Sequence, residues 1–302
     1  MTRAPILAAL ALGAVSAAGA VETASFLSVG VGARYLAMGG AGTALAGGAN
    51  ALYWNPAGLS ALDKSEATAS HAELAQSVRH DFLAYARPTQ AGTFAAGLTY
   101  LSQAALEGRD AQGHPTGGFQ ASDAALSLGW GRRTGLGDLG LTVKGIQSHI
   151  AAAQADTAAL DAGLRRDLGA LGPGRLLVAA ALRDLGPGLK YGVQRNDLPT
   201  RLAFGAAYRL NGGHALAVEW TNSPRGAGND FGLGGEYRAL PGVRLRAGWT
   251  TAGGIAGGTG FDAARGLTLG VGLSRGAWRL DYAAVPMGEL GSAHRFTLSA
   301  RW

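Results

Sequence analysis

The sequence predicts an all-β protein: a transmembrane antiparallel β-barrel of about fourteen strands, with an N-terminal plug segment containing a short helical turn. Three observations lead there. Apolar residues recur at period two along most of the chain, the opposite parity is small instead of charged, and the apolar parity repeatedly meets an aromatic residue. Composition removes the rivals. Glycine contributes 50 of 302 residues without a Gly-X-Y period, which excludes collagen. With 47% hydrophobic and 15% charged residues the chain has too much apolar surface to stay disordered. The absence of cysteine excludes disulfide scaffolds, thiolate metal sites and a Cys nucleophile.

Residues 1–20 read as a signal peptide. Arg3 supplies the positive start, Pro5 to Val15 the apolar stretch, and Ala18-Gly19-Ala20 the small-residue cleavage site, so cleavage is expected after Ala20. No later stretch is apolar for long enough to form a membrane-crossing helix. The plug segment is assigned to residues 21–63 and the barrel to 64–302.

Strand candidates follow in order at 64–73, 78–88, 91–103, 120–132, 138–152, 154–168, 173–184, 198–209, 213–223, 228–239, 241–251, 263–275, 276–285 and 290–302. In the third, Phe94, Ala96, Leu98 and Tyr100 oppose Ala95, Gly97 and Thr99. In the fourth, Leu126, Leu128 and Trp130 oppose Ser127 and Gly129. Later, Val243, Leu245, Ala247 and Trp249 oppose Arg244, Arg246 and Gly248, and Leu267, Leu269, Val271 and Leu273 oppose Thr268, Gly270 and Gly272. A water-soluble sandwich would carry Lys, Glu and Asp on its outer parity. Here the second parity is Gly, Ala, Ser and Thr with isolated charges, which suits a crowded lumen. Tyr100, Trp130, Tyr208, Trp220, Tyr237, Trp249, Trp278, Tyr282 and Trp302 are expected to ring the bilayer interfaces. An even number of strands joined by alternating short and long connections fits a closed up-and-down sheet.

The last strand carries a separate signal. Phe296, Leu298, Ala300 and Trp302 alternate up to an aromatic terminal residue, which resembles the mark read by the outer-membrane barrel assembly machinery. Together with the export signal it places the protein in the outer membrane of a Gram-negative-type bacterium, in contact with outer-membrane lipid.

Ahead of the first strand stand Gly32-Ala33-Arg34, then Met38-Gly39-Gly40-Ala41-Gly42, then Asn50-Ala51-Leu52-Tyr53-Trp54-Asn55-Pro56-Ala57-Gly58. Asn55 suits an N-cap and Pro56 a first helical position, so a short helical turn is expected there. The Gly39 to Gly42 run lacks bulk, as a segment pressed against a barrel wall must. This block resembles the opening of the PorV/PorQ family of outer-membrane proteins, and its Asn-Pro-Ala-Gly element is shared with the wider FadL-type superfamily. Gly47-Gly48 stands where relatives often carry acidic residues.

The resemblance implies two functions. The PorV branch implies a non-enzymatic module that binds exported proteins in type IX-like secretion and surface attachment, with secreted cargo and secretion components as partners. The FadL branch implies uptake of hydrophobic small molecules through a plugged barrel. The short chain and the Gly-Ala-Arg and Met-Gly-Gly-Ala elements favour the first. A glycine-rich lumen parity offers no evident apolar ligand pocket for the second. Segments Gln103 to Phe119, Gly186 to Pro199 and Thr251 to Ala264 are the candidate cargo-facing loops.

Other classes fit poorly. The formal charge of +6 is dispersed, without the cation clusters that track phosphates, so nucleic acid is not an expected partner. None of the six His sits in a nucleophile motif or a ligand spacing, so neither catalysis, a metal nor a cofactor is expected. Charges on the inward parity, Glu219, Asp230, Glu236, Arg244, Arg246, Arg279, Asp281, Arg295 and Arg301, come from neighbouring strands and are expected to pair across the ladder and brace the plug.

Overall fold

A computed structural model describes residues 23–109, 112–151, 153–226, 228–252, 266–287 and 291–302. The signal peptide with its cleavage site, and most of the Thr251 to Ala264 loop, lie outside the described residues. Fourteen antiparallel strands close into one barrel. In chain order they are β1 (Glu66–Glu73), β2 (Val78–Thr89), β3 (Gly92–Arg109), β4 (Pro115–Thr134), β5 (Gly137–Ile150), β6 (Ala153–Leu171) and β7 (Gly174–Leu185). A small hairpin of β8 (Leu189–Tyr191) and β9 (Gln194–Asn196) intervenes. The wall resumes with β10 (Arg201–Leu210), β11 (Ala215–Ser223), β12 (Gly228–Leu240), β13 (Val243–Thr250), β14 (Leu267–Arg275), β15 (Trp278–Pro286) and β16 (Ser292–Arg301).

Each strand pairs with its sequence neighbours, β7 bypassing the small hairpin to pair with β10, and β1 seals the ring. Ala69 stands opposite Leu83 of β2 on one side and Leu298 of β16 on the other. Within the closed ring no strand lacks a neighbour on either side, the condition for a sheet in hydrocarbon. The alternation sorts the side chains as the sequence pattern predicts. Leu83, Leu128, Val143, Val218, Leu269 and Leu298 point outward and stay exposed, while Ala84, Thr142, Ala217, Thr268 and Thr297 turn inward and are buried. So continuous an apolar outer face is stable only where lipid covers it.

The two ends differ. At one, tight turns join successive strands, as at Gly135-Leu136, Pro241-Gly242 and Gly276-Ala277, and Gly242 and Gly276 adopt the positive φ that such turns demand (83° and 58°). Aromatic residues cluster near this turn end. Trp130 donates its indole N–H to the Ala91 carbonyl at 3.0 Å, Tyr208 donates to the Leu171 carbonyl, and Trp302 stacks on Tyr85 with centroids 6.0 Å apart. Toward the opposite, loop end, Trp220 stacks on Phe204. Tyr100 and Tyr282 depart from the expected rings. β3 continues to Arg109, well past Tyr100, and Tyr282 lies midway along β15, bonded to the His294 ring at 2.7 Å.

Two expected loops are structured. Gln103 to Phe119 is the extension of β3 and β4 into a long hairpin, with register shifts between Gln103 and Leu106 and between Gly108 and Arg109. Its small and polar sequence carries no clear alternation, which hid the strands. Gly186 to Pro199 contains the β8–β9 hairpin and folds inward, burying Leu189 and Leu198 against Phe26 and Leu27.

Residues 23–65 run through the lumen from the loop end to the turn end. Thr23 bonds through its backbone N–H to the Asp197 carbonyl at 3.0 Å, beside the small hairpin, and Ser65 accepts from the Trp302 N–H at the turn end. Between them lie a 3-10 turn at Ser25–Ser28, a single α-turn α1 (Ala33–Leu36), a second α2 (Ala51–Trp54) and a 3-10 helix at Pro56–Ala61. Val31, Tyr35, Met38, Leu45, Leu52, Trp54 and Leu59 are buried there, so the plug is the hydrophobic core of the molecule.

Candidate functional site

Two rows of glycine on separate arcs of wall let the plug backbone reach the sheet. Gly131, Gly140 and Gly163 stand side by side on β4, β5 and β6. A Cβ on Gly131 would come within 2.7 Å of the Pro56 carbonyl oxygen and 2.8 Å of the Leu59 Cβ, and one on Gly140 would meet the Pro56–Ala57 peptide. Across the lumen Gly234 and Gly248 are paired on β12 and β13, under Met38 and Gly39. Gly97 and Gly129 face Leu52, and Gly270 faces Ala37. Gly272 departs from this pattern, since its space is taken by the Arg246 and Asp281 side chains.

The plug motif residues are placed as follows. Asn55 caps the 3-10 helix, accepting from the Ala57 N–H at 3.0 Å, and its amide donates to the Thr43 carbonyl at 3.0 Å. Pro56 is the first residue of that helix, and Gly58 lies against the Ala46 carbonyl. Asn50 donates to Thr68 of β1, and Ala33 donates its N–H to Thr297 at 2.8 Å. Gly39 donates to Thr268 at 3.1 Å and lies against the Trp249 and Leu233 carbonyls. Gly40 has φ 75°, Gly42 lies under the Trp54 indole, and Met38 and Ala41 are buried. Gly32 precedes α1 with φ 78°.

The inward charges divide between two compartments. Toward the turn end, Glu236 accepts from Arg34 at 2.9 and 3.0 Å and from Arg246 at 2.7 Å. Arg246 also meets Asp281 at 2.8 Å, Arg279 meets Asp281 at 3.1 Å, and Arg244 approaches Glu236 at 3.7 Å. Arg301 pairs with Glu66. Burial works against the Arg34 charge, but Glu236, Tyr35 and Asp281 together more than offset it and hold the guanidinium above its ordinary pKa. Toward the loop end, Glu219 accepts the Thr43 N–H at 2.7 Å, and Arg295 donates to the Gly30 carbonyl at 2.8 Å. Asp230 faces Arg201 at 3.9 Å.

Several contributors carry no sequence signal. Glu66 of β1 accepts the Ala49 N–H at 2.9 Å, so the wall brings a carboxylate to the stretch where Gly47-Gly48 has none. Arg165 donates to the Ala46 carbonyl and pairs with Asp138 at 2.8 Å. Lys144 lies between Asp161 and Asp184 at 2.7 and 2.6 Å, all three buried, where β6 and β7 shift register. Asp184 occupies the left-handed region with φ 58°, and its N–H donates to Asp161 at 2.8 Å. Strand parity places these residues inside, but only the barrel's shear decides which of them meet.

Above α1, on the loop side, lies a cavity of about 300 Å³. Leu27, Val29, Leu36, Tyr53 and Trp54 of the plug line it, with Val285 and Met287 from β15 and the residue beyond it. Arg183, Arg201, Glu219, Asp230 and Arg295 form its polar side. The Arg183 guanidinium lies 5.5 Å from the Trp54 ring and 5.9 Å from that of Tyr53, within cation–π range. Tyr53 donates its hydroxyl to the Leu27 carbonyl at 2.8 Å, and burial pushes its phenol up in pKa. The apolar side of this pocket, which the lumen parity does not announce, is therefore supplied largely by plug side chains, with Val285, Pro286 and Met287 added from the wall. Among the described residues no cluster of His, Asp or Glu could hold a metal ion.

Wall, plug and cavity define a plugged transmembrane β-barrel. Two solved structures share it: the toluene transporter TodX of Pseudomonas putida (TM-score 0.62, 15% identity, 94% of this chain and 98% of that one) and the toluene transporter TbuX of Ralstonia pickettii (0.58, 13%, 90% and 98%). The likeness is one of fold, a closed fourteen-strand antiparallel barrel. No family model and no curated protein matches the sequence.

Proposed function

We propose that this protein is an outer-membrane channel for the uptake of small hydrophobic molecules, exported after cleavage at Ala20 and inserted by the barrel assembly machinery. The observation that carries the reading is the cavity of about 300 Å³ near the loop end of the lumen, with its apolar lining drawn from plug and wall. Its apolar wall with a few polar groups is the ordinary make-up of a small-molecule site. The toluene transporters with the same fold support it. The PorV/PorQ reading, capture of secreted cargo in type IX-like secretion, rests on the plug motif and the short chain. An apolar cavity of small-molecule size favours uptake over the docking of a protein.

The test is uptake of labelled toluene and of a labelled long-chain fatty acid by cells with and without the gene. Uptake of at least one should fall on deletion and return with the wild-type gene. Complementation with Val285→Trp, which fills the cavity, should not restore it. Equal uptake in all strains, with secreted proteins lost from the cell surface on deletion, would replace this reading by the secretion one.

A further inference from the structure

We propose a second binding site, for a small dianionic oxyanion such as phosphate or a short dicarboxylate, at the turn end of the lumen beneath the plug. A separate cavity of about 290 Å³ lies there. Five arginines line it: Arg34 from α1, Arg244 and Arg246 from β13, Arg279 from β15 and Arg301 from β16. Two carboxylates, Glu66 and Glu236, line it with them, and a third, Asp281, pairs with Arg246 and Arg279 from behind. The local balance is two positive charges in excess, inside a barrel whose low-dielectric wall concentrates the field.

The carboxylates are already committed. Glu236 takes both Arg34 and Arg246, Asp281 takes Arg246 and Arg279, and Glu66 takes Arg301 and the Ala49 N–H. Arg244 reaches Glu236 only at 3.7 Å, beyond a hydrogen bond. Each guanidinium carries five N–H donors in a planar fork, so most donors of Arg244, Arg279 and Arg301 have no carboxylate to meet. The side chains of these three are 32%, 23% and 42% exposed, whereas Arg246 is fully enclosed. The enclosed pairs hold the ring together, and the half-exposed forks face the cavity. Two or more forks around one space match the paired oxygens of a phosphate or carboxylate. A dianion cancels the excess that a monoanion would leave half unmatched. The apolar lining of the loop-side cavity has no counterpart here beyond Trp278 and Ala277. The ligand is thus a polar anion, whatever the upper cavity carries.

The test is thermal unfolding of the full-length protein in detergent at pH 8. Sodium phosphate and sodium succinate are each compared with sodium chloride at matched ionic strength. The midpoint should rise with phosphate, succinate or both, saturably, and not with chloride. Binding of the effective anion should weaken at least tenfold in Arg244→Gln/Arg279→Gln. It should weaken less in Arg244→Lys, which keeps the charge and loses the fork, and stay unchanged in Arg175→Gln, whose side chain lies at an outer turn with Asp167. The heat-modifiable gel shift selects folded variants, and Arg244→Lys alone decides if the double variant fails to fold. A response shared with chloride, or one untouched by Arg244→Lys and the double variant, overturns the site.

Discussion

Gly131→Ala isolates the closeness of plug and wall in one methyl group. The added Cβ would lie 2.7 Å from the Pro56 carbonyl oxygen, 2.8 Å from the Leu59 Cβ and 3.1 Å from the Ser60 N. Carbon atoms in good contact sit about 3.5–4.0 Å apart, so the 3-10 helix or the strand must give way by roughly 0.7 Å or more. Neither side yields cheaply. The helix is pinned by Asn55 to Thr43, and β4 is bonded to strands on both sides. Overpacking of this kind costs about 1–3 kcal/mol. Gly145→Ala on β5 is the control, because a Cβ there meets nothing within 4 Å. The assay is thermal unfolding in detergent, read by the gel shift, together with conductance in planar bilayers. Gly131→Ala should unfold at a lower temperature than wild type and pass current in brief openings, with Gly145→Ala matching wild type in both. If the two variants behave alike, the plug does not bear on the glycine row and the account of the wall is wrong.

Two further expectations use the buried charges. Lys144→Met should leave Asp161 and Asp184 facing each other without a cation, a loss of about 3–5 kcal/mol for a broken buried pair, seen as a lower unfolding temperature. Adding Asp161→Asn to that variant should recover part of the loss, and no recovery would argue against the triad. Glu236→Ala removes the acceptor of Arg34, so protease sites in the plug should open from the turn end; unchanged protection would show that the backbone bonds of Ala33 and Gly39 suffice to hold it.

Most of the wall was legible in the sequence because a two-residue period is a local property. Fourteen strands and their facing follow from neighbours in the chain, whereas Gly242 and Gly276, which the strand bounds 241–251 and 276–285 took in, stand in the turns. The helical turn at Pro56 was legible for the same reason, since an N-cap reaches only two residues ahead. What stayed hidden is set by distance across the barrel. Glu66 and Ala49 are brought together by the plug's path, and Lys144 meets Asp184 across two strand pairings and a bulge. The cavity was missed because strand parity describes the wall, whereas Tyr53 and Trp54, which shape it, belong to the plug. The long β3–β4 hairpin escaped because the sequence from Gln103 to Phe119 carries no two-residue alternation.

The path of the plug also makes it captive. Residue 23 is tied to the hairpin at one mouth of the ring and residue 65 to the last residue of the chain at the other, and Ala33, Gly39, Thr43 and Ala49 between them are moored to the inner wall. The cord passes through the hoop from end to end, and the meeting of β16 with β1 is the clasp that closes the hoop around it.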